Sequence, residues 1–238
     1  KIRGCFLVGC GPSLNRIDVR RLASIDTISF NRSYIAWERW GFQPTYYACF
    51  DPEAVSGNAG RIQELIEDRS AGHFFLHDLA ASFGIRPSAN VTLVKLTEGA
   101  PFSASHRSIA DFGNVGASSL QILAALGYRR VAMVGVDARY SALEAAPGRE
   151  NEAIQVEKDE DHFAPDYLRW KKPISPAGLE KVLGRWPWVA AECWDHGLEV
   201  KNCSPGSALT CFEEIRFDEA LAWIAGPRRQ ATPVLGER

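Results

Sequence analysis

Little in this chain of 238 residues points to a membrane, a disulfide framework or a nucleic acid. No apolar run approaches the roughly 20 residues of a membrane span. No signal-peptide pattern follows Lys1. The chain opens on Lys1 and not on Met, which leads to the expectation of a processed or excised piece. Net charge is only −2, so the broad basic footprint of a nucleic-acid binder is missing and no nucleic acid is expected as partner. Cys5, Cys10, Cys49, Cys193, Cys203 and Cys211 form no CxxC pair, and no histidine stands at zinc-like spacing from them. They read as reduced thiols of a cytoplasmic protein. Internal repeats are absent. What remains is ordinary: 46% hydrophobic and 24% charged residues, the composition of a soluble globular chain. The length suits one large α/β domain or two small ones.

Against that background the stretch Cys5–Leu14, CFLVGCGPSL, stands out. Cys5-Phe6-Leu7-Val8 has the length of a buried parallel strand. Gly9-Cys10-Gly11 breaks it, Pro12 and Ser13 follow, and an amphipathic stretch starts near Leu14. Strand, glycine turn and helix start form the unit that cradles phosphate, with backbone N–H groups and the helix N-terminus facing the anion. The dinucleotide fingerprint wants a third glycine, and Leu14 stands there instead. A tight strand-to-helix turn without ligand is the competing reading. Cys10 either faces ligand or is a small structural side chain.

Further along, Asp26–Phe30, Thr45–Phe50, His73–Leu76, Val91–Leu96, Arg130–Val136 and Gly197–Asn202 read as strands. Arg32–Trp40, Gly60–Asp68, Val115–Leu126, Pro176–His196 (broken at Trp186-Pro187-Trp188) and Phe212–Ala225 read as helices. Thr97–Gly113 is polar and reads as a loop. The alternation predicts a single Rossmann-like, doubly wound α/β domain over 1–225 with a mostly parallel sheet. The stretch 138–176 loses the pattern and reads as a lid. Residues 226–238 read as a disordered tail.

Ligands of open α/β sheets bind outside the carboxyl ends of the strands. The tips here are Gly9–Ser13, Asn31, Asp51, Asp137 and Asn202-Cys203-Ser204, each of which could also be a simple cap. His73 and His77 bracket a strand and do not face one ligand. His106 lies in the polar loop within reach of a cleft, and His196 reads as structural near a helix C-terminus. Asp159-Glu160-Asp161 reads as a solvated acidic loop.

The order of GCGPSL, FNRSY (30–34), PTYYACFD (44–51), GNVGASSLQILAALGYRRVAMVGVDARY (113–140), DHFAPDY (161–167) and GLEVKNCSPGSAL (197–209) resembles the bacterial sialyltransferases of glycosyltransferase family 42. It is also similar to the motility-associated-factor glycosylation domains and the archaeal hydroxymethylpterin pyrophosphokinases. The resemblance implies a variant of the GT-A-like fold and an inverting, metal-independent transferase with no cofactor. Its donor would be a CMP-activated nonulosonic acid, and its acceptor a glycan of surface polysaccharide assembly. It implies donor contacts at Gly9, Cys10, Gly11, Pro12, Ser13, Asn31, Asp51, Asp137 and the helix start Asn114-Val115-Gly116. Asp51 stands where the sialyltransferases have an amide. The resemblance further implies phosphate contacts from Tyr140 and Tyr167 and a general base at His162. Peripheral contact with an inner membrane and a homo-oligomer are compatible with it. Two other readings stand beside it: an ATP- and Mg²⁺-dependent pyrophosphokinase acting on a pterin-like alcohol, and a nucleotide-sensing module without catalysis.

Overall fold

A computed structural model describes residues 2–141, 143, 154–155, 159–168 and 173–226. Nine strands form one sheet: β1 (Gly4–Val8), β2 (Thr27–Phe30), β3 (Tyr46–Cys49), β4 (His73–His77), β5 (Val91–Thr97), β6 (Ser108–Ala110), β7 (Arg130–Val134), β10 (Glu199–Asn202) and β11 (Glu213–Glu214). The order across the sheet is β11-β10-β7-β1-β2-β3-β4-β5-β6. Every pairing in it is parallel. The chain winds outward from β1 in both directions, and β1 lies between β2 and β7. That is the doubly wound α/β architecture the alternation predicts, and the β1/β7 junction is its topological switch point.

The central strands follow from their composition. Cys5-Phe6-Leu7-Val8 is fully buried, as are Ile28 on β2 and Val131–Val134 on β7. A strand covered on both faces has no use for alternation and reads as a continuous apolar run. After the short helices α1 (Trp37–Trp40), α2 (Pro52–Gly57) and α3 (Ala59–Glu67), α4 (Val115–Ala125) starts at Asn114, whose side chain accepts the Ala117 amide at 2.8 Å. It packs against β3 and against the long helix Pro176–Asp195. The helix Phe217–Ala225 covers the face of β1 that carries Phe6, with Phe6 and Phe217 in edge contact at 6.0 Å.

Three expectations are corrected. The 97–113 stretch contains β6, which pairs with β5 from Lys95↔Ser108 to Thr97↔Ala110. Pro187 does not break its helix, which runs from Pro176 to Asp195. Buried Trp186, Val189 and Cys193 anchor both sides of the proline, and this packing outweighs the one backbone bond that Pro removes. The segment after Gly11 is no α-helix but a five-residue 3-10 turn, Pro12–Arg16. Of the expected lid, 142, 144–153, 156–158 and 169–172 lie outside the described residues. Within the rest, β8 (Ile154–Gln155) and β9 (Pro173–Ile174) form an antiparallel pair. The expected tail lies outside the described residues from 227 onward.

At the N-terminal edge of the sheet a polar cluster ties three strand starts together. The buried Tyr128 hydroxyl donates to Asp26 Oδ2 at 2.6 Å and accepts from Arg3 Nη2 at 2.8 Å. All six cysteines are free thiols, and five of them are buried.

Candidate active site

A cleft of about 570 Å³ runs along the carboxyl edge of the sheet. Successive strand ends supply it: Gly9, Cys10 and Gly11 after β1, Asn31 after β2, Asp51 after β3, His77 at the end of β4, Asp111 after β6, and Gly135–Tyr140 after β7. The start of α4 adds Asn114, Val115 and Gly116; the 159–168 segment adds Asp161, His162 and Tyr167. Of the expected site residues, Pro12 and Ser13 do not line it. Asn202-Cys203-Ser204 also lies elsewhere. Ser204 Oγ accepts the Val136 amide at 2.9 Å, and Cys203 and Ser204 border a separate cleft.

The glycine turn is built by close approach to β7. A side chain at Gly9 would stand 2.1 Å from the Gly135 carbonyl oxygen, and one at Gly11 would stand 2.5 Å from Asp137 Oδ2. Leu14, which takes the place of a third glycine, fills the space that Gly135 leaves open: a Cβ on Gly135 would lie 2.6 Å from Leu14 Cγ. The Gly9 amide donates to Val134 O at 2.7 Å and the Gly11 amide to Gly135 O at 2.8 Å. The Ser13 amide donates to Asp137 Oδ2 at 2.9 Å, and the Ser13 hydroxyl donates to Asp137 Oδ1. The expected cradle of amides is therefore spent at Gly9, Gly11 and Ser13 on holding β1 to β7. Asp137 is the pin of that junction. The α-helix starts that face the cleft are instead those of α4 and, at Asp51-Pro52, of the short helix Pro52–Gly57. Helix geometry leaves the Val115 and Gly116 amides without an intrahelical acceptor.

Asn31 is strained and unsatisfied. Its φ is 51°, in the left-handed region, and its buried Oδ1 has no hydrogen-bond partner. The Tyr47 hydroxyl holds the Asn31 carbonyl at 2.6 Å. Ala138, also on the cleft, has φ 50°. Strain and an orphaned acceptor both cost free energy and tend to persist where a site uses them.

The carboxylates around the cleft are each engaged by a neighbouring amide. Asp51 Oδ1 accepts from Glu53 N at 2.8 Å, and Asp111 Oδ1 accepts from Gly113 N at 2.8 Å. Asp161 accepts from the Ser141 amide at 2.8 Å. Among the described residues no three His, Cys, Asp or Glu side chains gather as a metal site.

The acidic run Asp159-Glu160-Asp161 is only partly solvated, with Glu160 exposed and its two neighbours half-buried. Asp159 Oδ1 lies 2.7 Å from His162 Nδ1, and Asp161 borders the cleft. The His162 ring stacks on Tyr167 at 4.0 Å. Burial pushes the Tyr167 phenol well above its ordinary pKa, with Cys10 adding to the shift. Burial and then Asp161 raise Tyr140, and burial raises the Cys10 thiol to about 12, which makes it an inert side chain at neutral pH. Arg32 N donates to Tyr167 Oη at 3.3 Å, and Phe163 N to Cys10 O at 2.9 Å. These bonds tie the segment to the ends of β1 and β2. Sequence reasoning missed His77, Asp111 and Asp161 in the cleft. The strand-tip rule reaches His77 directly, and reaches Asp111 only once β6 is known. His106 is exposed and acts on His73, not on the cleft.

No family model matches the sequence, and no curated protein matches it. Solved structures do match in three dimensions. The sialyltransferase CstII from Campylobacter jejuni, in complex with cytidine-5'-monophosphate, aligns with a TM-score of 0.52 at 12% identity, over 90% of this chain and 84% of that one. The MAf glycosyltransferase from Magnetospirillum magneticum AMB-1 aligns with a TM-score of 0.55 at 16% identity, over 89% of this chain. The fold is that of two glycosyltransferases. This chain spans 33% of the length of the second. No helix among the described residues is long and apolar enough to cross a membrane.

Proposed function

We propose that the protein is a glycosyltransferase that uses a CMP-activated nonulosonic acid as donor, inverts the anomeric centre, needs no metal, and builds a surface glycan. The observation that carries this reading is the convergence, on one cleft at the switch point of a glycosyltransferase fold, of Asn31, Asp51, the start of α4, Tyr140, Tyr167 and His162. The cytidine-5'-monophosphate bound by the structural neighbour motivates the choice of nucleotide.

In this reading Asn31 Oδ1 accepts a hydrogen bond from the donor, and Asp51 can only accept one, so both face hydroxyl or amino groups. The Val115 and Gly116 amides meet the phosphate, where the α4 dipole favours the charge that develops as the glycosidic bond to phosphate breaks. Tyr140 adds a phenolic donor; its raised pKa keeps it protonated. Pro12 and Ser13 stay behind the cleft, where Ser13 acts through Asp137. His162 Nε2 takes the proton of the acceptor hydroxyl. The hydroxyl oxygen bonds to the anomeric carbon, and the bonding pair leaves with the CMP phosphate. Residues 159–168, which bring Asp161, His162 and Tyr167 to the cleft, cover the donor on a single domain, 1–225.

Titration calorimetry against CMP, ADP, UDP and NAD tests the reading. CMP binding at micromolar to low millimolar strength is expected, with ADP and NAD at least about tenfold weaker. Turnover of CMP-N-acetylneuraminic acid should survive EDTA. Preference for ADP together with loss of activity in EDTA would turn the assignment to the pyrophosphokinase.

A further inference from the structure

We infer that Asp159 is a positioning residue that holds His162 in its Nδ1–H tautomer, leaving the Nε2 lone pair for the cleft; the inference rests on the base role proposed above. The Asp159 side chain is 6% exposed and His162 is 26% exposed, so the carboxylate lies behind the ring and the ring borders the cleft. Asp159 Oδ2 accepts the Leu168 amide at 3.1 Å, and Oδ1 lies 2.7 Å from His162 Nδ1. A carboxylate only accepts, so the neutral imidazole must carry its hydrogen on Nδ1. The basic lone pair is then on Nε2, the nitrogen that Asp159 does not touch.

Tyr167 blocks the alternative. Its ring lies 4.0 Å from the imidazole at 9°, nearly parallel. Turning the imidazole over would put Cδ2 where Nδ1 stands and lose the contact with Asp159, and the ring would have to leave the stack to pass through the half-turn. Tyr167 cannot swing away easily, because it is buried and its hydroxyl accepts the Arg32 amide. Phe163, the residue after His162, is pinned as well: its amide donates to Cys10 O at 2.9 Å, and Asn15 Nδ2 donates to its carbonyl at 2.9 Å. When Nε2 accepts the proton, the imidazolium is left beside the carboxylate that oriented it, and no proton needs to pass to Asp159.

The test uses the full chain labelled with ¹⁵N, with the His162 ring nitrogens assigned by their loss in H162A. Wild type should show the Nδ1–H tautomer at neutral pH. In D159N the amide oxygen keeps the Leu168 amide and the NH₂ group donates to Nδ1, so the ring should change to Nε2–H. Hydrolysis of CMP-N-acetylneuraminic acid, with water as acceptor, should lose about 100-fold or more in kcat in D159N, while donor KM stays within about twofold. D159E, which keeps the acceptor, should recover the Nδ1–H form and part of kcat. CMP affinity near wild type reports that each variant is folded. An Nε2–H ring in wild type overturns the inference. So does D159N with wild-type kcat where H162A is inactive, and so does a loss of kcat, CMP affinity and melting temperature together with the tautomer unchanged. H162A with wild-type turnover overturns the base role instead, and the tautomer still decides whether Asp159 orients the ring.

Discussion

Replacing Asn31 by glycine should make the free protein more stable and a worse binder. Asn31 sits at φ 51° with a buried, unpaired Oδ1. A left-handed conformation costs an L-residue about 1–2 kcal/mol, with Asn near the low end. An unpaired buried acceptor costs about 1–3 kcal/mol. Glycine removes both and gives back about 0.5–1 kcal/mol through its freer unfolded chain. The Tyr47 bond goes to the backbone carbonyl and survives the substitution. The net gain is about 1–3 kcal/mol, and each kcal/mol raises Tm by about 2–4 °C for a chain of this size. CMP affinity should fall by about 1–3 kcal/mol, or roughly 5- to 150-fold. N31A separates the two effects. It also lacks the acceptor, but it keeps a Cβ in the left-handed region without the local hydrogen bonding that eases Asn there, so it should melt below N31G by about 1 kcal/mol. Thermal melts without nucleotide and calorimetry with CMP measure both. An N31G protein that melts below wild type, or either variant binding CMP at full strength, would refute the argument.

Two further outcomes concern stability. Burial holds the Cys10, Cys49, Cys193 and Cys203 thiols at about 12, and raises Tyr47, Tyr128 and Tyr167 too. A folded pKa above the unfolded one means that the native state holds its proton more tightly. That stability is complete below the unfolded thiol value near 9 and is lost as pH rises from there toward 12, at up to about 1.4 kcal/mol per pH unit for each thiol. Urea unfolding at pH 8 and pH 10 should show the drop, and equal midpoints would contradict it. At the opposite edge of the sheet, Y128F removes the hydroxyl that joins Asp26 to Arg3. It should cost about 2 kcal/mol, or about 4–8 °C in Tm, and leave kcat at low temperature unchanged. A loss of turnover without a loss of Tm would show that this cluster serves the cleft instead.

The sequence by itself determined the parallel α/β layout and the edge on which the cleft lies. Both follow from local rules: apolar runs such as Cys5–Val8 and Val131–Val134 can only be covered strands, and the polar residues Asn31, Asp51 and Asp137 close three of those strands. β6 escaped because Ile109 and Ala110 are its only apolar residues, and β11 because it is two exposed glutamates. Such short edge strands exist through their neighbour's hydrogen bonds and leave little hydrophobic signal. Only the tertiary structure decided what the glycine turn is for. Its amides donate to β7 and to Asp137, across 124 residues of chain from Ser13 in the last case, and nothing in CFLVGCGPSL announces that partner. The same holds for Asp159, which resembles any solvated loop acid until Tyr167 and the Leu168 amide close it around His162. Periodicity and turn chemistry act over a few residues and can be read in order along the chain. Which donor an acceptor meets depends on contacts between distant segments, and those exist only once the sheet has formed.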